Sequence, residues 1–155
     1  MPSNDHGAGG LTAAQVEALI NRHFPQIHVG GRDLRIEEAG ARCARVRLRK
    51  QDRHLRPGGT LSGPSMFTLA DFSVYVAIIA TLGEAGIEAV TSNLNINFLA
   101  KPAARDLICA ARLIRVGRRL IVGEAHLTSE GAADMVAHAI ASYALPSAGL
   151  EKARR

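Results

Sequence analysis

A long run of apolar positions, residues 63–82, dominates the hydrophobic pattern of this chain. Ser62 is a good helix-capping residue, Pro64 suits a first helical turn, and Gly83 suits the position after a last turn. The pattern therefore predicts one long helix. Because apolar residues occupy nearly its whole circumference, we expect this helix to be buried on most sides. Its one charged residue is Asp71.

A shorter helix is predicted near the N-terminus, within residues 11–24. Thr12 can cap it, and Gln15, three residues on, can reach back to the cap in a capping box. Pro25 stops the helix, because the residue before a proline is disfavoured in helical conformation.

Two strands are predicted before the long helix and four after it. In residues 33–50 a turn near Gly40 separates two strands, and in the second strand apolar residues alternate with arginines. We expect a buried face of Ala44, Val46 and Leu48 and a solvated face of Arg45, Arg47 and Arg49. Residues 94–98 alternate as strictly, with Leu94, Ile96 and Phe98 on one side. Turns at 116–118 and 129–131 separate the last three strands.

This order of elements predicts an α+β fold. The later strands follow one another without helices between them, which indicates an antiparallel sheet of about six strands. A helix that is apolar on most sides is buried best if such a sheet wraps around it.

Length and composition indicate one globular domain. The chain has 155 residues, of which 47% are hydrophobic and 21% charged. We assign residues 11–146 to this domain, residues 1–10 to a flexible N-terminal arm and residues 147–155 to a flexible basic tail.

The formal net charge of +5 permits an anionic partner, although it equally serves solubility. The positive residues are spread along the chain, and no nucleic-acid reader motif with interleaved aromatic residues is present, so we expect no nucleic-acid partner. Polar residues in the first half of the apolar run argue against a membrane span. No metal-ligand spacing is visible, and we expect no metal.

The two cysteines, Cys43 and Cys109, lie far apart, each in a segment of alternating apolar residues. We interpret both as buried, reduced thiols, which indicates a cytoplasmic protein.

Asp71 is the first candidate for chemistry. Ser65, Thr68, Asp71 and Tyr75 are spaced three, three and four residues apart, so they form one narrow polar stripe on the long helix. A solvated stripe would normally carry lysine, glutamate or arginine, and this one does not. A buried carboxylate is costly unless it is hydrogen-bonded, which favours a functional role, although a partner from a strand could also neutralise it structurally.

The start of the long helix is the second candidate. The glycine-rich segment 58–63 leads to a helix N-terminus, whose unpaired amides can bind an oxyanion. Asp71 lies about 12 Å from Gly63 along the helix axis, which is far for one small carbonyl group. The two groups act together more easily if one subunit supplies the amide and another supplies the carboxylate.

Residues 56–71, RPGGTLSGPSMFTLAD, resemble the signature of hotdog-fold acyl-CoA thioesterases of the phenylacetate-degradation, or PaaI-like, type. That signature is Asn-x-x-Gly-x-x-His-Gly-Gly, with an Asp nine residues after the His. Gly59 and Gly63 match it, and Asp71 falls nine residues after Ser62. Residues 89–103 and 112–131 resemble the strand and hairpin that follow, so the resemblance covers about residues 33–146.

The resemblance implies a hotdog fold, a thioesterase activity and an active site between the subunits of a dimer or tetramer, without a cofactor. Asp71 would activate water or attack the thioester, the Gly63 amide would polarise its carbonyl group, and Thr91 would hold the water. Ser62 takes the position of the family's histidine. The residues implied in acyl-CoA binding are Arg56, Gly59, Asn93, Lys101, Arg118 and Arg119, the last three as contacts of the coenzyme A phosphates.

Three positions depart from the signature: Arg56 replaces its Asn, Ser62 its His and Pro64 its second Gly. Pro64 has no N–H, so one oxyanion donor is lost, and Ser62 is expected to cap the helix. Arg56 would pair with a substrate carboxylate or with Asp71, and His54 is a candidate to replace the missing imidazole. These departures leave two alternatives open, a non-catalytic protein that binds acyl-CoA or acyl carrier and, with less support, a hotdog dehydratase.

Overall fold

The computed structural model describes residues 9–147, so the outer parts of both predicted flexible ends lie outside the described residues. The helices are α1 (Ala13–His23) and α2 (Gly63–Leu82), with 3-10 turns at Pro25–His28, Asp52–His54 and Gly83–Gly86. The strands are β1 (Leu34–Gly40), β2 (Cys43–Leu48), β3 (Leu55–Arg56), β4 (Thr60–Leu61), β5 (Val90–Phe98), β6 (Leu107–Val116), β7 (Leu120–Ser129) and β8 (Met135–Ala144).

Both helices begin at the predicted caps. The Thr12 hydroxyl accepts from the Gln15 amide at 3.3 Å, and the Gln15 side chain accepts from the Thr12 amide at 2.9 Å. Ser62 caps α2 by accepting from the Ser65 amide at 3.3 Å. Gly83 ends α2 with φ +66°, a conformation that glycine adopts without strain.

Six strands form one antiparallel sheet in the order β1-β2-β6-β7-β8-β5, as the alternation patterns predicted. β3 and β4, of two residues each, form a separate hairpin just before α2. The sheet curves around α2, and this long central helix with its wrapping sheet and an N-terminal helix is the hotdog fold that the resemblance implied.

α2 is the core of the molecule. Most of its residues from Met66 to Ala80 are buried, and its contacts reach β1, β2 and β5–β8. The segment Gly63–Gly86 is long and apolar enough to cross a membrane, but here it is the buried core helix of the sheet.

Two predictions about individual side chains are wrong. Arg47 is not solvated: its side chain is 20% exposed and lies between the carboxylates of Glu37, Asp106 and Glu130. Cys43 is only half-buried, whereas Cys109 is fully buried. Phe98, at the end of β5, is 53% exposed.

Candidate active site

Asp71 lies half-buried on α2, and two strands hold its carboxylate. The Thr91 hydroxyl donates to Asp71 Oδ1 at 2.8 Å. The Tyr143 hydroxyl donates to the same oxygen and to the Asp71 main-chain carbonyl, the latter at 2.7 Å. Among the hydrogen bonds of the described residues Oδ2 takes none, so this oxygen remains available to a water molecule or a substrate.

Sheet register explains why these two donors meet. Thr91 on β5 lies directly opposite Tyr143 on β8, next to a register shift between Thr91 and Asn93. Opposite residues of neighbouring strands point to the same face, so both hydroxyls reach toward α2. Burial raises the pKa of Tyr143, and the adjacent Asp71 charge raises it further, so this phenol remains a hydrogen-bond donor at neutral pH.

Asp71 opens into a cleft of about 640 Å³, called the Asp71 cleft below. Its walls are mainly aromatic and aliphatic, and they include Phe24, Ile27, Leu34, Phe67, Phe72, Tyr75, Ile87, Val90 and Tyr143. The rings of Tyr75 and Tyr143 stack at 6.3 Å between centroids, and the Tyr75 hydroxyl donates to the Ile87 carbonyl at 2.8 Å. Thr68, Asp71 and Tyr75 of the predicted polar stripe all line this cleft.

The start of α2 opens into a different cleft of about 680 Å³, called the Gly63 cleft below. It is lined by Arg56, Pro57, Gly58, Thr60, Leu61, Gly63, Met66, Phe98, Leu99, Ala100, Lys101 and Pro102. The Gly63 amide has no hydrogen-bond partner among the described residues. The Phe98 ring covers Gly63 so closely that an added Cβ would lie 3.3 Å from it.

The predicted site residues therefore fall into two groups in one chain. Asp71 and Thr91 share one cleft, while Gly63, Arg56 and Lys101 share the other, and no ion pair among the described residues joins Arg56 to Asp71. Five candidates line neither cleft: Ser62, which caps α2, and four exposed residues. Asn93 is exposed on β5, Gly59 is exposed in the β3–β4 turn with φ +76°, and Arg118 and Arg119 are exposed in the β6–β7 turn.

Two polar residues near the Gly63 cleft have structural roles. Ser62 Oγ accepts from the Ser65 amide and lies 2.8 Å from Ser65 Oγ, so it acts as the helix cap. His54, the candidate to replace the missing imidazole, is buried. Its Nδ1 accepts from the Gln51 amide at 3.0 Å and its Nε2 lies 3.1 Å from Asp33 Oδ2, so both ring nitrogens are occupied.

Sequence reasoning missed Tyr143 as a site residue. It lies 72 residues from Asp71 along the chain, and only the β5–β8 register brings the two together. The available signal was composition, because Tyr75 and Tyr143 are the only two tyrosines in the chain and both line the Asp71 cleft.

One group of the described residues has donor atoms placed so that they could hold a metal ion. It lies on the outer face of the sheet, away from both clefts. Its members are Glu124, His126 and His138, which the sequence spacing did not reveal.

The thioesterase superfamily pattern matches residues 58–136, which include Gly63, Asp71, Thr91 and strands β5, β6 and β7. The structure is similar to that of a proposed thioesterase from a Silicibacter species, with 42% identity, coverage of 87% of this chain and 92% of that chain, and a TM-score of 0.76. No protein among those with curated functions matches the chain.

Two further solved structures share the fold. A proposed thioesterase from Ralstonia eutropha, related to phenylacetic acid degradation, is 25% identical over 79% of this chain and 99% of that chain, with a TM-score of 0.67. A mutant of the phenylacetic acid degradation protein PaaI from Thermus thermophilus is 20% identical over 73% of this chain and 93% of that chain, with a TM-score of 0.64, which shows the fold alone. The superfamily match and the 42% identical structure together show that the chain belongs to the thioesterase superfamily of thioester hydrolases.

Proposed function

We propose that this protein is an acyl-CoA thioesterase of the phenylacetate-degradation type, with Asp71 as its catalytic carboxylate. The observation that carries the proposal is the environment of Asp71. Thr91 and Tyr143 hold Oδ1, while Oδ2 is left for chemistry beside an apolar and aromatic cleft. Such a cleft suits the acyl tail of a thioester, and a carboxylate fixed in this way is pre-organised to receive a proton or to attack.

The reaction needs a nucleophile and an oxyanion donor. Asp71 Oδ2 takes a proton from water, the resulting hydroxide attacks the thioester carbonyl carbon, and the negative charge moves to the carbonyl oxygen. The Gly63 amide, together with the positive end of the α2 dipole, stabilises that oxyanion. The C–S bond then breaks, coenzyme A leaves as the thiolate, and the proton held on Asp71 passes to that sulfur or to solvent, which restores the carboxylate. The same geometry supports direct attack by Asp71, with an anhydride as the intermediate.

We propose that the two clefts join between protomers. β5 is an edge strand, Val90 and Thr91 at its start line the Asp71 cleft, and Phe98 at its end lines the Gly63 cleft. If two copies pair antiparallel along β5 with two-fold symmetry, the start of one strand lies beside the end of the other. The Asp71 cleft of one protomer then faces the Gly63 cleft of the other, which gives two composite sites in each dimer.

The charges around the composite site suit coenzyme A. Arg56 and Lys101 line the Gly63 cleft. The main-chain carbonyl of Arg119 accepts a hydrogen bond from the amide of Leu145, which lies two residues after Tyr143. This hydrogen bond puts the exposed β6–β7 turn near the Asp71 cleft. We assign phosphate binding to Lys101, Arg118 and Arg119. The catalytic unit is residues 11–146, and the reduced thiol of the buried Cys109 suits a cytoplasmic location.

The proposal is tested by thiol release from a panel of short-chain, long-chain and aryl acyl-CoAs, with wild type beside Asp71→Asn. We expect hydrolysis by wild type and a loss of at least about 10³-fold in kcat in the variant, because the amide can neither accept the proton nor attack. Glu84→Gln is the matched control. Its side chain is 66% exposed just after α2 and lines neither cleft, so this variant should match wild type.

Hydrolysis by Asp71→Asn at the wild-type rate would disprove the mechanism. If wild type binds acyl-CoA but releases no thiol from any member of the panel, the protein is instead a binding module. The specific observation behind that second candidate is Pro64, which leaves the start of α2 with one amide fewer than the family signature.

A further inference from the structure

The outer face of the sheet carries a cluster of ligand-type side chains that the thioesterase reaction does not use. On β7, Ile121, Ala125 and Leu127 face α2 and are fully buried, so the alternating residues Glu124 and His126 point to the outer face. On β8, His138 lies directly opposite His126.

The three side chains converge on one point. Glu124 Oε2 lies 3.2 Å from His138 Nε2, and Glu124 Oε1 lies 3.4 Å from His126 Nε2. One donor atom from each residue lies within 4.8 Å of the other two, and the imidazole rings stand edge to face with centroids 5.0 Å apart. Ligand atoms around a tetrahedral zinc ion are separated by about 3.3 Å, so the cluster already has nearly the required spacing.

His126 supplies a second, independent observation. Its Nε2 is buried and has no hydrogen-bond partner among the described residues, and its contact with Glu124 Oε1, at 3.4 Å, is longer than a well-formed N–H···O hydrogen bond. A buried polar atom without a partner costs free energy, and coordination to a metal ion would remove that cost. The residue opposite on the other neighbouring strand is Ala110, which is too small to supply a donor or to fill the space.

We propose that Glu124, His126 and His138 form a binding site for a divalent transition metal ion, for which zinc is the best fit. Two imidazole nitrogens and one carboxylate oxygen are a donor set that zinc accepts, with water in the fourth position. The ligands stand on two paired strands, so little conformational freedom is lost when the ion binds. The ion would bridge β7 and β8 on the face of the sheet opposite Asp71.

Arg112 is the natural competitor for Glu124. Its guanidinium lies 3.4 Å from Glu124 Oε1, but its side chain is 65% exposed and such a surface ion pair is weak. Metal binding displaces Arg112, so removing this residue should strengthen binding. If these residues formed only a network of ion pairs and no metal site, substitution of Arg112 would give no affinity for zinc.

The test uses full-length, untagged protein freed of metal by chelation and then titrated calorimetrically with ZnCl₂. We expect one zinc ion per chain, loss of binding in His126→Asn and in His138→Asn, and an affinity several-fold higher in Arg112→Gln. His28→Asn is the matched control. His28 is half-buried, is hydrogen-bonded to Asn21 and belongs to no group of three ligand-type side chains among the described residues, so its variant should bind zinc like wild type.

A wild-type measurement keeps the test valid if a histidine variant does not fold. In zinc-soaked crystals, an anomalous difference map should show a peak about 2.0–2.1 Å from Nε2 of both histidines. Absence of binding in wild type, a peak elsewhere, or binding that survives in a folded His126→Asn variant would each overturn the proposal. None of these outcomes depends on thioester hydrolysis, so they leave the proposed function untouched.

Discussion

A single carboxylate is tolerated in the apolar helix α2 because two strands satisfy it. An unpaired charge in such a place would be costly, and the hydroxyls of Thr91 and Tyr143 offset that cost by donating to one oxygen of Asp71. The same arrangement leaves the other oxygen open to the cleft. The features that make Asp71 structurally acceptable are therefore the ones that orient it for chemistry.

Thr91→Val should lower kcat for thioester hydrolysis by about ten- to a hundredfold, because it removes a hydrogen bond to a charged group while keeping the side-chain volume. Thr91→Ser keeps the hydroxyl and should retain most of the activity. Steady-state kinetics of both variants with the best acyl-CoA check this. Equal loss in the two would show that packing by the Thr91 methyl group, rather than its hydroxyl, supports Asp71.

Parts of the site within one continuous segment were predictable from the sequence, and parts that depend on register were not. Asp71, the Gly63 amide and the Ser62 cap all lie on or beside α2, whose pattern fixes their spacing. Tyr143 reaches Asp71 only through the pairing of β5 with β8. The hydrophobic pattern within one strand does not identify the strand with which it pairs. The contact between His54 and the distant Asp33 could not be predicted from the sequence for the same reason.

At the scale of elements, Arg47 joins parts of the sheet that are distant in sequence. Its guanidinium donates to Glu37 on β1 at 2.9 Å and to Asp106, just before β6, at 3.1 Å, and lies 2.8 Å from Glu130 after β7. An alternating strand pattern predicts only that such an arginine faces outward. It does not reveal that three carboxylates lie on the same outer face.

This cluster predicts a pH dependence of stability. Partial burial raises the pKa of Asp106, but the Lys50 amide and the Arg47 guanidinium outweigh that effect and hold it below its usual value of 3.8. A depressed carboxyl pKa stabilises the fold above pH 3.8, and this contribution is lost as pH falls through the lower pKa of the folded state. Asp106→Asn should therefore cost about 1 kcal/mol at pH 7 and progressively less below pH 3.8.

Urea unfolding from pH 7 to about pH 3 measures that difference. Glu17→Gln is the control, because Glu17 is 53% exposed and lies 3.9 Å from Arg32, a surface pair that should contribute almost nothing at any pH. A constant penalty for Asp106→Asn across the whole range would mean that its amide packs poorly and that the charge is irrelevant.

The close approach of α2 to the sheet depends on Gly123 in the middle of β7. A Cβ at this position would lie 2.9 Å from Val74 Cγ1 and 3.2 Å from Leu113 Cδ2. Gly123→Ala should therefore destabilise the protein by about 1–3 kcal/mol through overpacking. Val74→Ala should recover part of that loss in the double variant, and a double-mutant cycle of unfolding free energies measures the coupling. Additive effects would show that the helix moves away instead of resisting the extra methyl group.

At the scale of the whole molecule, the two clefts mark opposite ends of one edge strand. Thr91 and Phe98 lie seven residues apart on β5, which is about 23 Å in an extended strand. A single chain therefore holds both halves of the proposed thioesterase site without joining them. The helix spacing between Gly63 and Asp71 already suggested this from the sequence, but the open edge that offers a way to join the halves became visible only in the sheet order.

Composite sites predict that two inactive variants restore each other. Gly63→Pro removes the oxyanion donor at a first-turn position that tolerates proline, and Asp71→Asn removes the carboxylate. Each alone should lose at least about 10²-fold in kcat. After the two are unfolded, mixed in equal amounts and refolded, half of the dimers are mixed. Each mixed dimer has one intact site, so about one quarter of wild-type activity should return.

Gly63→Ala adds the same Cβ beside Phe98 but keeps the N–H, and its activity separates loss of the donor from crowding. If each site were built within one protomer, no mixed dimer would contain a complete site. The mixture would then remain as inactive as its components, although size-exclusion chromatography still showed dimers.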